Sequence, residues 1–437
     1  VRKFSGIKVL IFSALMALGL LLTGCSKNPE KTIEKLIEAV ENRDPETLFG
    51  LVVVDKDTYW TVHEAKDVIE YFLGDYDEYG EQLMLLDQQA MALKNKTMLS
   101  NEQGLFYFNE DKELKVRKYE LKVDGESLKE GAEKISVKIN DDKKVELDGK
   151  KEMSLGLFGP GKYQLKATAE YPFAKVESDK SVTVMSLNQF NQDVDLGLEG
   201  KQIMIKSTIP NTILLVNGEE VTFDLSIVEK EDGFWGSDED DGDVFGPISE
   251  GVKLQGLAEL PWGEAKSKEI EVTDKESNYN VTPAVFHDKK EKDKVTEIIN
   301  GYAKNRIAAY VNLDHSVVKN VSESIKNPIM KDINEAKEDD DKYKGEALGT
   351  RIDYSRAQYY IGSGGRHYVK VPVEFYEKFL YVNLYMPNQK PKAEYQNMIV
   401  ELEFITDDKK WIIAEIEKDY SNDRDYMMSE EVVETEF

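Results

Sequence analysis

The chain has 437 residues and carries 84 Asp and Glu against 57 Lys and Arg, a formal charge of −27. So acidic a surface has no basic stripe to neutralise phosphates, which excludes nucleic acid as a partner. The length allows several domains, each large enough for its own core, and a single cysteine excludes an internal disulfide framework.

The first predicted element is a leader. Arg2, Lys3 and Lys8 surround the start of an apolar run from Val9 to Leu22, which Leu22-Thr23-Gly24-Cys25 closes. Basic, apolar, then small residues is the layout of a secretory signal. A run of about 14 residues falls short of the roughly 20 needed to span a bilayer. Leu-Thr-Gly-Cys resembles the bacterial lipobox, in which the cysteine thiol takes a diacylglyceryl group and the leader is cut just before it. Residues 1–24 are expected to be a lipoprotein signal peptide, with Cys25 the lipidation site and 25–29 a tether. The protein is then anchored by lipid at the extracytoplasmic face of the cell membrane. Without the three leader cations the charge is −30, so lipid and not charge must hold it to an anionic surface. Exported yet free of disulfides, it fits a Gram-positive envelope.

Residues 30–113 read as a small helical domain. Ile33, Leu36, Ile37 and Val40 recur at helical spacing, and Asp44-Pro45 is a helix-start signal. Thr61 and Glu64 form a capping-box pattern ahead of Val62, Ala65, Ile69 and Phe72, and Leu83 to Leu93 reads as the next helix.

The pattern then switches to strands and repeats itself, in 114–198 and again in 199–284. Phe158-Gly159-Pro160 leads into Gly161-Lys162-Tyr163-Gln164-Leu165, then Glu170-Tyr171-Pro172-Phe173. Phe245-Gly246-Pro247 leads into Gly251-Val252-Lys253-Leu254, then Glu259-Leu260-Pro261-Trp262. Each copy has a hairpin signal upstream, Asp148-Gly149 and Asn217-Gly218. Two tandem β-sandwich-like repeats are expected, their turn motifs structural, with glycine supplying positive φ and proline fixing the turn. The acidic stretch 237–243 fails EF-hand spacing, because the twelfth position would be Ile248, and it reads as a solvated loop.

From 285 to 420 the order is helices, then an antiparallel meander. Val295, Ile298, Ile299, Tyr302, Ile307 and Tyr310 lie along one face, and a second helix is expected from about Val317 to Ala336. Strands are expected at Tyr354 to Ile361, Tyr368 to Tyr376, Asn397 to Ile405 and Trp411 to Glu417, with Gly362 to Gly365 as a hairpin turn. This order resembles the nuclear transport factor 2-like α+β cone, which is the fold expected here, and residues 421–437 read as an acidic, frayed tail. The cone segment 288–420 is nearly neutral, with 22 cations against 24 anions, and 13 of the 22 tyrosines lie beyond residue 288. Tyrosine offers a flat apolar face and a hydroxyl, suited to sugars and peptides. Tyr302, Arg306, Tyr310, Tyr359, Tyr376 and Trp411 are the candidate ligand-pocket residues at the cone mouth.

With Glu64-Ala65-Lys66-Asp67-Val68-Ile69-Glu70-Tyr71-Phe72-Leu73, the paired Phe-Gly-Pro repeats and the terminal cone in this order, the chain resembles the TcaA family over nearly all of residues 30–420. The resemblance implies a membrane-anchored envelope protein linked to glycopeptide (teicoplanin-type) susceptibility and wall stress. Typical members open with a Cys-x-x-Cys zinc ribbon and a transmembrane helix, whereas here a leader and lipobox stand in their place. Peptidoglycan, wall polymers, a glycopeptide or other envelope proteins are the partners it implies.

An enzyme is not expected. The four histidines, His63, His287, His315 and His367, form no His-Glu-x-x-His pair, and neither a Gly-x-Ser-x-Gly elbow nor a Walker loop occurs. No cofactor or metal site is expected. Two alternatives stay open: a hydrolase or isomerase using Asp353 or Glu374 in the cone, and a chaperone or partner of wall-synthesis machinery. Cys25→Ala is expected to release the protein from membranes or to leave the leader uncleaved, since acyl chains contribute about 0.8 kcal/mol per buried CH₂. Fractionation checks this, and a variant that stays membrane-bound after leader removal contradicts the lipid anchor.

Overall fold

The computed structural model describes residues 28–98, 103–124, 131–147, 152–187, 189–225, 242–382, 389–420, 427–429 and 431–437. The expected leader, Cys25, the Asp148-Gly149 signal and residues 237–241 of the acidic stretch lie outside the described residues. The chain divides into two compact units, one ending at Gly200 and one starting at Lys201.

The first unit opens with four helices: α1 (Pro29–Glu41), α2 (Pro45–Leu51), α3 (Val62–Gly74) and α4 (Tyr76–Asn95). Side-chain oxygens of Asn28, Asp44, Thr61 and Asp75 accept the first free amides of each, and the Thr61–Glu64 capping box forms as its pattern predicts. Buried glutamines on α4 replace ladder partners for the neighbouring short strand Phe106–Phe108. Gln82 Oε1 accepts from Leu105 N and Phe106 N, its Nε2 donates to Phe106 O, and Gln89 Oε1 accepts from Phe108 N. Polar side chains buried this deeply are tolerable because they are satisfied.

Seven strands follow: β1 (Tyr119–Asp124), β2 (Lys134–Ile139), β3 (Lys143–Leu147), β4 (Glu152–Phe158), β5 (Gly161–Tyr171), β6 (Ala174–Val184) and β7 (Asn191–Val194). They make two sheets, β6-β5-β2-β3 and β7-β1-β4, the second extended past β4 by Thr58–Tyr59. The second unit begins with β8 (Ile203–Lys206), β9 (Ile213–Val216), β10 (Glu219–Val221), β11 (Asp243–Phe245), β12 (Lys253–Leu260), β13 (Gly263–Lys266) and β14 (Asn278–Asn280). Every pairing among the first seven strands recurs with strand numbers raised by seven, while Thr58–Tyr59 on β4 and Ile270–Glu271 on β12 have no counterpart strand of their own in the other copy. β8 pairs antiparallel with β11 and parallel with β14, as β1 does with β4 and β7, and β10-β9-β12-β13 repeats β3-β2-β5-β6. The repeats are therefore tandem β domains of one topology, with Phe158 and Phe245 at equivalent strand ends opposite Tyr119 and Ile203. Asn217 and Gly218, both at positive φ, turn the β9–β10 hairpin.

The two turn motifs use glycine differently. Gly246 lies at φ +140°, and a Cβ there would sit 2.8 Å from Lys201 O. Gly159 needs no positive φ; a Cβ on it would run into the Trp60 ring. Trp60 Nε1 donates to Pro160 O, and Gly159 N donates to Tyr59 O. Asp67 Oδ2 accepts from Lys162 N, and Glu64 Oε1 accepts from Asn140 Nδ2. The start of α3 is thus seated on the first Phe-Gly-Pro turn. One hydrophobic core runs from Ile33 to Leu198, so the boundary expected at residue 113 passes through a continuous core.

In the second unit α5 (Lys289–Asn312) and α6 (Glu323–Glu338) precede β15 (Lys342–Asp353), β16 (Gln358–Ile361), β17 (His367–Val382), β18 (Ala393–Ile405), β19 (Lys410–Lys418) and β20 (Val432–Glu436). The sheet order is β19-β18-β17-β15-β20, with β16 pairing with β17 through the expected glycine turn. Three expectations change. Strand β15 was not foreseen, and β17 runs six residues past Tyr376. The tail is not frayed where described: Val432–Glu436 pairs with β15, and the Lys304 Nζ lies 4.1 Å from the Phe437 ring centre. Its acidic residues had masked the alternation Val433, Thr435, Phe437. α5 is fixed to the sheet by Tyr302 on Phe375, Asn300 between Thr350 and Thr435, and the Arg306–Glu377 ion pair.

Gly159→Ala is expected to destabilise the first unit by about 1–3 kcal/mol, the range for overpacking, measurable by urea unfolding. Arg306→Ala is expected to cost about 3–5 kcal/mol because Glu377, 6% exposed, is left buried without its partner. Adding Glu377→Gln should recover part of that loss, and a double-mutant cycle showing no coupling would contradict the assignment.

Candidate functional site

Strand β17 decides where the cone's aromatic residues point. Val369, Val371, Val373 and Phe375 are buried, alternate along one face, and share the core with Val295, Ile299, Tyr302 and Ile352. The same face continues outward as Glu377, Phe379 and Tyr381, across from Ala347, Gly345 and Tyr343 of β15. The rings of Tyr343 and Phe379 are stacked, 5.6 Å apart at 5°. Tyr310, from the end of α5, lies 4.9 Å from Tyr343 and 5.4 Å from Phe379, and Tyr381 lies 5.4 Å from Tyr343. The result is a strip of four rings that carries the core out to solvent, three half-buried and Tyr381 45% exposed.

Acids border this strip. Tyr310 donates to Asp332 at 2.9 Å and Tyr381 donates to Asp341. The bond to Asp341 pushes the Tyr381 phenol up to about 12. Burial, helped by Asp332, holds the Tyr310 phenol above its ordinary value, and burial does the same at Tyr343. The Arg306 guanidinium, 5.8 Å from the Phe379 ring, is held by Glu377 at the inner end. Chemically the strip offers flat apolar faces ringed by hydroxyls and carboxylate acceptors.

The six residues expected at one mouth fall in three places. Arg306 and Tyr310 belong to the strip, and Tyr302 lies beneath it in the core. Trp411 is 2% exposed, its Nε1 donating to Glu291 at 3.3 Å. Tyr359 bonds His367 Nδ1 at 2.8 Å. Both surround Trp262, whose ring lies 4.7 Å from Trp411 and 5.5 Å from Tyr359 and Phe404. Tyr376 is on the opposite face of β17, stacked on Tyr395 at 4.4 Å. The sequence reading missed Tyr343, Phe379 and Tyr381; the period-two pattern of β17, carried past Tyr376, would have found the last two.

Asp353 and Glu374 lie near each other under the C-terminal segment. Arg351 bonds Glu374 at 2.7 Å and Met427 O, while Asp353 accepts from Ser355 N, Ser355 Oγ and Ser429 Oγ. Burial raises the Glu374 carboxyl against the lowering effect of Arg351. Both acids extend from the face of β15 and β17 opposite the strip. Among the described residues no group of three or more His, Cys, Asp or Glu is arranged to hold a metal ion.

Residues 29–123 match the family described as the TcaA protein second domain, and 199–283 match the TcaA protein 3rd/4th domain. Residues 295–417 match the YvbJ NTF2-like domain. No curated protein matches the chain. Among the described residues no helix is long and apolar enough to cross a membrane. The matches follow the order of the helices, the second β repeat and the cone, and the chain belongs to the TcaA family of envelope-associated proteins linked to the response to teicoplanin.

Proposed function

We propose that this protein is a lipid-anchored, non-catalytic envelope protein that binds wall components through the aromatic strip of its cone. By that binding it modulates the response to teicoplanin-type glycopeptides and to wall stress. The observation that carries the reading is the strip itself, with Tyr310, Tyr343, Phe379 and Tyr381 at the surface beside Asp332 and Asp341. Sugar rings and peptide planes stack on such faces, and their hydroxyls and amides find acceptors at the rim. In keeping with a binding role, Glu377 and Glu374 are held by arginines, and Oδ1 of Asp353 accepts from Ser355 and Ser429.

A second reading, docking to wall-synthesis machinery, is favoured by α4. Tyr76, Met84 and Met91 are 72%, 53% and 63% exposed on that helix, and exposed methionines suit adaptable protein contacts.

Co-sedimentation of the full chain with purified wall tests the first reading. Tyr343→Ala and Tyr381→Ala should each weaken binding by about three- to tenfold, while Tyr376→Ala on the other face should not. A fragment of 201–437, keeping Trp262 with the cone core, is expected to retain binding. Binding that maps wholly to 28–200 contradicts the reading.

A further inference from the structure

A cleft of about 420 Å³ in the first unit is lined by Arg43, Pro45, Lys66, Ile69, Glu70, Leu73 and Gly74. Its floor is one stripe of α3, where Ile69 is buried and Leu73 half-buried, and the Pro45 ring at the start of α2 forms the facing wall. The volume lies within the range of small-ligand sites. Lys66 is paired with Glu70 at 3.7 Å, leaving that side of the cleft neutral. Arg43 makes no ion pair or side-chain hydrogen bond among the described residues, although the protein is strongly acidic.

Arg43 is one of twelve non-glycine residues at positive φ among the described residues. Asp44 N donates to Ala39 O and Arg43 N to Val40 O, which is the double bond of a Schellman turn closing α1. Arg43 occupies the left-handed position of that turn at φ +54°, where glycine carries no strain. Asp44 then caps α2 through Thr47 N and Thr47 Oγ1, so the turn is held from both sides. An arginine whose guanidinium makes no ion pair or hydrogen bond among the described residues, and which lines a cleft with an apolar floor, is suited to a ligand outside the chain.

We propose that this cleft binds the C-terminal end of a short peptide, its carboxylate on Arg43 and its small apolar side chains against Pro45, Ile69 and Leu73. A guanidinium matches a carboxylate through two parallel hydrogen bonds, which a lone ammonium does not. The site is separate from the aromatic strip and does not depend on it.

The test uses the full chain and three probes: N-acetyl-alanyl-alanine, its C-terminal amide, and inorganic phosphate, each titrated by calorimetry. The free acid is expected to bind and the amide to bind at least about tenfold more weakly. Arg43→Gln should weaken the acid by a similar factor. Arg43→Gly separates binding from structure: it should abolish the tenfold preference for the acid while the first unit melts as the parent does or about 2–4 °C higher, since the strain is relieved. The proposal is overturned if the acid binds no better than the amide, if Arg43→Gly keeps the peptide, or if that variant melts below the parent. It is also overturned if phosphate binds through Arg43 and the peptide does not.

Discussion

Trp262 ends the second repeat's Glu-Leu-Pro-Trp motif, yet its half-buried ring packs against residues of the cone. It lies against Trp411, Phe404, Tyr359 and Phe286, and its Nε1 donates to Val285 O at 2.9 Å. Aromatic pairs contribute about 0.5–1.5 kcal/mol each beyond the area they bury, so four such contacts weigh heavily against separation. Ile209, Ala258, Leu260 and Ala265 of the repeat consequently belong to the same core as Val371 and Ile413 of the sheet. The first unit obeys the same constraint with different chemistry, Trp60 covering Gly159 and bonding Pro160 O. A β repeat this short gains by lending one end of its core to its neighbour, because small cores bury a small fraction of their surface.

That constraint places the candidate site. Trp262, Trp411 and Tyr359 pack together at one end of the cone, and the ring strip lies at the other end, where β15 and β17 run on past β18. Arg306 and Glu377 mark the transition: inward of them the face is buried core, and outward it becomes the ring strip. The ion pair needs its partners close and dry, which anchors the end of α5 and therefore Tyr310. Ring strip and core are one continuous face of one strand.

The acidic charge is distributed around these features without building them. Most of the ion pairs are exposed, such as Lys66–Glu70 and Lys144–Glu146, and exposed pairs of this kind contribute little to stability. The few buried acids do structural work: Glu64 locks α3 to the first repeat, and Glu374 and Asp353 hold the C-terminal segment over the sheet. That segment closes the sheet edge with Val432–Glu436, covering a strand that would otherwise present unpaired backbone.

Local chemistry was legible in the residues alone. The helix starts at Asp44-Pro45 and Thr61–Glu64 and the Asn217-Gly218 hairpin depend on contacts within a few residues, and each formed as its pattern implies. What only the tertiary structure decided were the choices between chemically equal candidates. Tyr302, Tyr310, Tyr359 and Tyr376 look alike in the chain, and packing sent one to the core, one to the strip, one to the Trp262 seam and one to the far face. Gly159 and Gly246 look alike too, yet one yields space to Trp60 and the other supplies a positive φ. Strand β15 stayed hidden because Gly345, Ala347 and Gly349 give little apolar alternation, and its place depends on pairing with β17, about thirty residues away, which no local pattern encodes.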